Sequence, residues 1–289
     1  MDEQIVFVGN RSFVLEELLL QRANVVAVIV IAGTHLERDL QNGVVSFPLG
    51  YQVIKSKIEL LTLLNQLKFD VLVSNGCPYI LPIAELPEAK YVNVHPSCLP
   101  DLRGVDPVIG SILYGRDAGA TCHVMDAGID TGAIISQIRI PFTEDLDVTT
   151  LYQLSFIAEK TAIREALASG FQEQYPQQED ENVIYYSRKP EDRIITFRES
   201  NDDIIRKIKA FNNISQGCEF FLNGRRFLVY AVTCMRNPFL IEYVGKFVEG
   251  MIALSYEGCV VFRKENEVLR FQNVISEDGT PLSVGESLF

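Results

Sequence analysis

Asn93 and His95 stand one residue apart in the stretch VNVHPSCLPDLRG, with Pro96 directly behind the histidine. Successive side chains of an extended segment point to opposite faces, so this spacing sets an amide and an imidazole side by side. The amide donates hydrogen bonds without changing charge, and the imidazole titrates near pH ~6.5, which suits proton transfer. Pro96 has no N–H to give to a central ladder, which predicts that the strand ends at His95. A carboxylate is needed nearby to orient the imidazole and receive a proton. The loop MDAGIDTGA offers Asp126 and Asp130 among the glycines Gly128 and Gly132, which permit tight turns and close approach of a ligand to the backbone. Asp130 lies deeper in the loop and is the better candidate; Asp126 follows the strand and suits capping a turn. On spacing alone a structural role stays open for these residues, because a histidine at a strand end is commonly packed and a Gly-rich loop carrying Asp is commonly a turn.

The elements that must position these groups read as alternating strands and helices. QIVFVGN, VVAVIVIAG, FDVLVSNG and AKYVNVH are short, nearly continuous apolar runs, while RSFVLEELLLQRAN and KIELLTLLNQLK carry helical spacing. Such runs predict a mostly parallel sheet buried on both faces, a Rossmann-like α/β arrangement in which ligands bind beyond the carboxyl ends of the strands. Asp106 with Pro107 predicts a helix start and Gly115 its end. TCHVM and AIISQIRI read as strands around the Asp130 loop, and Asp147 caps a helix running to about Ala168, with Gly170 just beyond. SGFQEQYPQQEDEN is a polar connector. From about Tyr185 one helix, NDDIIRKIKAFN, precedes short strands broken by LNGRR, MRNP, YEGC and SEDGT, a pattern that predicts a small OB-like barrel. The expected domains are 1–180 and 185–289.

The 289 residues carry a net charge of −12, which disfavours binding to nucleic acid. Six scattered cysteines form no C-x-x-C pair, so neither a zinc site nor a disulfide framework is expected. The opening MDEQ lacks a basic signal region, and VVAVIVIAG is far short of the roughly 20 residues a membrane span needs. A soluble cytoplasmic protein without membrane contact is the expectation; monomer or homodimer stays open. In GNRSF, the turn residues Gly9, Asn10, Arg11 and Ser12 suit either a phosphate site or an ordinary strand-to-helix loop. Arg188 and Lys209 are further candidates for a diphosphate. His123 reads as a packed strand residue and His35 as a loop surface residue.

NVHPSCLPDLRGVDPVIGSILYG followed by GATCHVMDAGIDTGAII resembles the folate-dependent formyltransferase family, whose pattern is Asn-x-His-x-Ser-Leu-Leu-Pro-x-x-Arg-Gly, then a strand and Asp-x-Gly-x-Asp-x-Gly. NGCPYILPIAEL resembles the family segment that helps to hold the folate, and SRKPEDRIITF with IIRKIKAFN resembles the start of the C-terminal domain of methionyl-tRNA and sugar formyltransferases. The resemblance implies that Asn93, His95 and Asp130 are the catalytic trio and that 10-formyltetrahydrofolate is the donor. It implies that Gly76, Tyr79, Ile80 and Leu81, with Asp126, Gly128 and Ile129, line the folate site. Arg103 and Gly104 match the first motif, and Arg103 either fixes the loop or meets the acceptor. The chain departs from the family at Cys98 (usually Leu), Leu102 (usually aromatic) and Phe197 (often Trp), none of them in the trio.

The implied chemistry is attack of a neutral amine on the formyl carbon. Asn93 and a protonated His95 donate to the developing oxyanion, and Asp130 stabilises the imidazolium and accepts a proton through water. Glycinamide ribonucleotide enzymes resemble only the first domain. Methionyl-tRNA enzymes grip a polyanion and carry a long basic loop after the second strand, whereas AGTHLERDLQNGVVSF has one Arg against one Glu and one Asp. A nucleotide-linked amino sugar fits best, and the resemblance further implies a UDP- or dTDP-linked 4-amino-4,6-dideoxy sugar of pseudaminic acid-type synthesis. Methionyl-tRNA formyl transfer, formyltetrahydrofolate hydrolysis and a non-catalytic sensor are the alternatives.

Overall fold

The apolar runs become the central strands. β1 (Ile5–Gly9) and β4 (Val71–Asn75) are buried at every position, and β2 (Val25–Ile31), β3 (Gln52–Ile54), β5 (Lys90–His95), β6 (Ala118–Val124) and β7 (Ile134–Ile140) complete a seven-stranded sheet in the order β3-β2-β1-β4-β5-β6-β7. The first five strands in that order run parallel, as expected for the four apolar runs; β3, with only Ile54 buried, was not anticipated, and β6 is antiparallel to β5 and β7 to β6. Short returns cannot make the long crossover that parallel neighbours need, so the Asp130 loop joins an antiparallel pair.

This computed structural model describes residues 3–178, 181–213 and 215–288, so Glu179 and Asp180 of the polar connector lie outside the described residues. The chain divides into two units, each discontinuous in sequence. One comprises Met1–Pro107, Asp117–Pro141 and Gln153–Tyr186; the other comprises Val108–Arg116, Phe142–Tyr152 and Ser187–Phe289.

In the first unit, alternate residues of the same strands feed two cores. Phe7, Val73, Val92 and Val94 pack with Leu15 and Leu18 of α1 (Phe13–Leu20) and with Ile163 of α5 (Val148–Ala168). Val6, Val8, Leu72 and Tyr91 pack instead with Leu60 and Leu64 of α3 (Lys57–Leu64). Each pleated strand therefore buries both faces, the reason its sequence is apolar throughout. Sequence order reverses between β1 and β4, the point of such a sheet beyond whose carboxyl ends ligands commonly bind. The helix α4 (Pro107–Tyr114) forms as expected, and Asp147 caps α5 by accepting from the Thr150 N–H at 2.8 Å. One expectation fails: His35 is exposed but opens a short helix, α2 (His35–Gln41), rather than lying in a loop. Only Leu36 and Leu40 carry its buried face, too weak a period to stand out among polar residues.

The second unit carries α6 (Asn201–Ala210), capped by Ser200, and two antiparallel sheets of four and three strands. Leu222 pairs with Arg225 across Asn223 and Gly224, both at positive φ, a tight turn matched to strand twist. Phe197 packs with Phe220, Phe262 and Phe271 at ring-centroid distances of 5.6, 6.0 and 6.1 Å. MRNP was read as a turn alone; Asn237 and Pro238 in fact start a short helix, Pro238–Val244.

Candidate active site

β5 stops at His95, where Ser97 N–H turns back to the His95 carbonyl at 2.9 Å. Asn93 and His95 thus share one face at the carboxyl end of the strand. Pairing with β6 sets Asn93 opposite His123 and His95 opposite Thr121. A bulge in the β6–β7 pairing falls between Cys122 and His123, an irregularity often found where a side chain must be re-aimed.

Asp130 closes the cluster from the β6–β7 loop. Its Oδ2 lies 3.6 Å from His95 Nδ1 and accepts from the Gly104 N–H at 3.2 Å. Its Oδ1 lies 3.5 Å from His123 Nε2 and 3.4 Å from Asn93 Nδ2. Asn93 Nδ2 also reaches His123 Nε2 at 3.4 Å. His95 Nε2 is 3.0 Å from the Leu102 carbonyl, and His123 Nδ1 is 2.8 Å from the Val124 carbonyl. A carbonyl can only accept, so each of these nitrogens carries a hydrogen, and the opposite ring nitrogen faces the carboxylate. Asp130 holds this place at a φ of 55°, and the loop around it is tightly built: a Cβ on Gly132 would fall 1.9 Å from the Val124 carbonyl oxygen.

Electrostatics separate the two key groups. Burial pushes the His95 imidazole below its ordinary range, against the Asp130 carboxylate and the Leu102 carbonyl, while His123 and Arg11 add to the downward shift. Burial alone would raise Asp130, but His95, His123 and the Gly104 N–H outweigh it and hold the carboxyl well below the usual carboxylate range. At neutral pH the pair is an anionic carboxylate beside an imidazole that is neutral at rest.

His123 was expected to be a packed strand residue. It is buried, but its free ring edge belongs to the cluster. The β5–β6 register puts it there, and nothing in its local sequence reports that register. Asn75, at the end of β4, was also missed: its Nδ2 donates to the Val94 carbonyl and to Glu159 Oε1, both at 3.1 Å. These bonds brace the backbone between Asn93 and His95 from the neighbouring strand.

Ile80 and Ile129 are exposed, Tyr79 is half-buried and Leu81 is buried. Asp126 turns its carboxylate into its own loop, accepting from Gly128 N–H at 3.0 Å and Thr131 Oγ1 at 2.5 Å. Gly76, at a φ of 70°, lies against Asn10, whose Oδ1 would be 2.2 Å from any Cβ there. Gly9 ends β1, and Ser12 is buried. Arg11 is committed to Glu159, with Nη2 2.7 Å from a carboxylate that has no exposed surface. Arg103 is buried and donates to Gln177 Oε1 at 2.8 Å and to the Tyr185 hydroxyl. Arg188 and Lys209 belong to the second unit; Arg188 is exposed, and Lys209 donates to the Glu144 carbonyl. Among the described residues no group of three or more His, Cys, Asp or Glu is arranged to hold a metal ion, and no helix is long and apolar enough to cross a membrane.

Comparison with known proteins agrees with this architecture. A methionyl-tRNA formyltransferase of Legionella pneumophila (strain Corby) is 35% identical over 156 residues, 52% of this chain and 49% of that protein, so the match spans about half the relative's length. Two solved structures share the fold. One is WlaRD, a sugar 3N-formyl transferase crystallised in the presence of dTDP and 5-N-formyl-THF, at 18% identity and a TM-score of 0.70, covering 97% of this chain and 100% of that one. The other is an N-formyltransferase from Helicobacter canadensis in complex with folinic acid and dTDP-3-aminofucose, at 18% identity and a TM-score of 0.69, covering 93% and 98%. The formyl transferase family model matches residues 15–167 and the model of its C-terminal domain matches 188–288: the chain belongs to the formyl transferase family.

Proposed function

We propose that the protein transfers the formyl group of 10-formyltetrahydrofolate to the amine of a nucleotide-linked amino sugar. The observation that carries formyl transfer is the convergence of an amide, an imidazole and a carboxylate at the end of β5, with Asp130 Oδ1 3.4 Å from Asn93 Nδ2 and Oδ2 3.6 Å from His95 Nδ1. The folate supplies an activated formyl group when bound; the exposed aliphatic chains of Ile80 and Ile129 suit its flat ring.

Each member of the cluster has a part. Asn93 donates to the formyl oxygen as negative charge develops there, and removal of one such donor costs roughly 3–4 kcal/mol of barrier. The attacking amine must lose a proton, and the folate nitrogen must gain one to leave. His95 Nδ1 is the ring position open to a proton, because Nε2–H is held by Leu102. His95 takes the amine's proton there, Asp130 stabilises the imidazolium so formed, and the proton passes on to the departing nitrogen. This differs from a permanently protonated histidine: the charge exists only during turnover.

The sign of the pH dependence follows. The active imidazole is neutral, and burial sets its pKa below the ordinary value of 6.5. With both substrates saturating, so that titration of the free amine drops out, kcat is expected to fall on the acid side only in a limb centred below 6.5. An acid limb centred at or above 6.5 contradicts the assignment.

Support for a sugar nucleotide comes from the net charge of −12 and from whole-chain similarity to enzymes crystallised with dTDP or a dTDP-amino sugar. The Legionella relative favours a second reading, methionyl-tRNA as acceptor. The test is a panel of UDP- and dTDP-linked 3-amino and 4-amino sugars beside methionyl-tRNA, with a reaction lacking any amine. Formylation of a sugar nucleotide, with none of the tRNA, is the expected result; the reverse overturns the acceptor.

A further inference from the structure

The polar connector does more than link elements. Tyr175 bridges to Ile134 of β7, with Ile134 N–H donating to the Tyr175 carbonyl at 2.9 Å and Gln174 N–H to the Ile134 carbonyl at 2.8 Å. Further along, Tyr186 N–H donates to the Arg103 carbonyl at 2.9 Å, and Arg103 N–H to the Ile184 carbonyl at 3.1 Å. The connector is therefore anchored to β7 at one point and to the Arg103–Gly104 segment at another.

Gln177 lies between these anchors. Its Nε2 donates to the carbonyls of both Asp130 and Gly132, at 2.9 and 2.8 Å. Its Oε1 accepts from Arg103 Nη2 at 2.8 Å. Two carbonyls on one side demand a donor and a guanidinium on the other demands an acceptor, so only one orientation of the amide satisfies all three. A closed circuit results. Gly104 N–H holds the Asp130 carboxylate, Arg103 is the residue before Gly104, and Gln177 ties the Arg103 side chain back to the Asp130 main chain.

We infer that Gln177 is a positioning residue for the reaction, fixing Asp130 at its distance from His95 and Asn93 through the Arg103–Gln177–Asp130 circuit. This rests on the formyl-transfer reading of the site. Gln177 touches no reacting atom. Its contribution is to stop the loop, already at positive φ at Asp130, from relaxing and carrying the carboxylate away. Misplacement by about 1 Å can cost roughly a hundredfold in rate.

The test compares Gln177→Glu and Gln177→Met with the full-length wild type. The Glu variant keeps an acceptor for Arg103 but loses both donations to the loop carbonyls; the Met variant keeps the length and loses all three bonds. Both are expected to lower kcat about 10- to 100-fold, with KM for folate and acceptor changed less than twofold. The second readout needs no activity: titration of the His95 imidazole followed by NMR. Among the described residues the charged or titratable groups that act on His95 are Asp130, His123 and Arg11, and of these Asp130 alone raises its pKa. Displacing Asp130 must therefore shift the His95 titration downward in the Gln177→Met variant, which adds no charge of its own. Equal kcat, or a lower kcat with an unmoved His95 titration, overturns the inference, the latter leaving only a general structural role. Wild type that formylates no amine sinks the functional reading instead, while the titration still judges the positioning.

Discussion

Asp130→Asn is expected to lower kcat by roughly a thousand- to ten-thousand-fold, the scale reached when the carboxylate beside a catalytic imidazole is made neutral. The substitution keeps the size of the side chain and an acceptor for the Gly104 N–H. What it removes is the anion that makes protonation of His95 tolerable in a buried site. His95 is pushed down by burial and supported chiefly by Asp130, so without the carboxylate the imidazole cannot hold the amine's proton at neutral pH. The acid limb should move further down at the same time, because the group that raises the His95 pKa is gone. Stopped-assay rates across pH check both. Loss of less than tenfold, or a limb moved upward, removes Asp130 from the chemistry. Asn93→Ala should cost less, about a hundred- to a thousandfold, since it deletes one donor and leaves the proton path intact.

Arg11→Ala is expected to destabilise the fold by about 3–5 kcal/mol, the cost of leaving a buried charge without its partner. Glu159 has no exposed surface, and among the described residues Arg11 and Asn75 oppose the burial that raises its pKa. The sign is distinctive. With Arg11 gone, Glu159 takes up a proton more readily in the folded state than in the unfolded chain, so the variant recovers stability as pH falls. Its Tm deficit should be larger at pH 8 than at pH 5.5, and Arg11→Ala with Glu159→Gln should recover much of it. The turn GNRSF was read as a possible phosphate site. Were Arg11 a phosphate ligand first, Arg11→Ala would raise the KM for the acceptor at an unchanged Tm, and thermal melts beside kinetics separate the two.

The parts of this molecule legible in the sequence are those set by local rules. Pro96 ends β5 because it lacks an N–H, and the two-residue step from Asn93 to His95 places them on one face. Burial on both faces makes β1, β2 and β4 read as unbroken apolar runs, and Asp147 announces the start of α5. The parts that stayed hidden are set by partners far along the chain. Arg11 and Glu159 are separated by 148 positions, and Arg103 and Gln177 by 74, so no periodicity reports either pair. His123 looked like core because a strand residue is classed by its own run, whereas its role follows from which residue of β5 it faces. Asp130 could be preferred to Asp126 by its depth in the loop, but only the fold shows Asp126 consumed by Gly128 and Thr131.

The pairing of Asn93 with His123 makes this cluster a question of parity. An odd-numbered insertion or deletion within β6 would exchange the two sides of the strand, sending His123 toward the helices and presenting Cys122, an apolar core residue, in its place. Length can drift in the outer loops of such a chain, but these few residues of β6 tolerate only even steps. Natural variants should therefore show no odd-numbered change of length between Thr121 and Val124 even where the residues themselves differ.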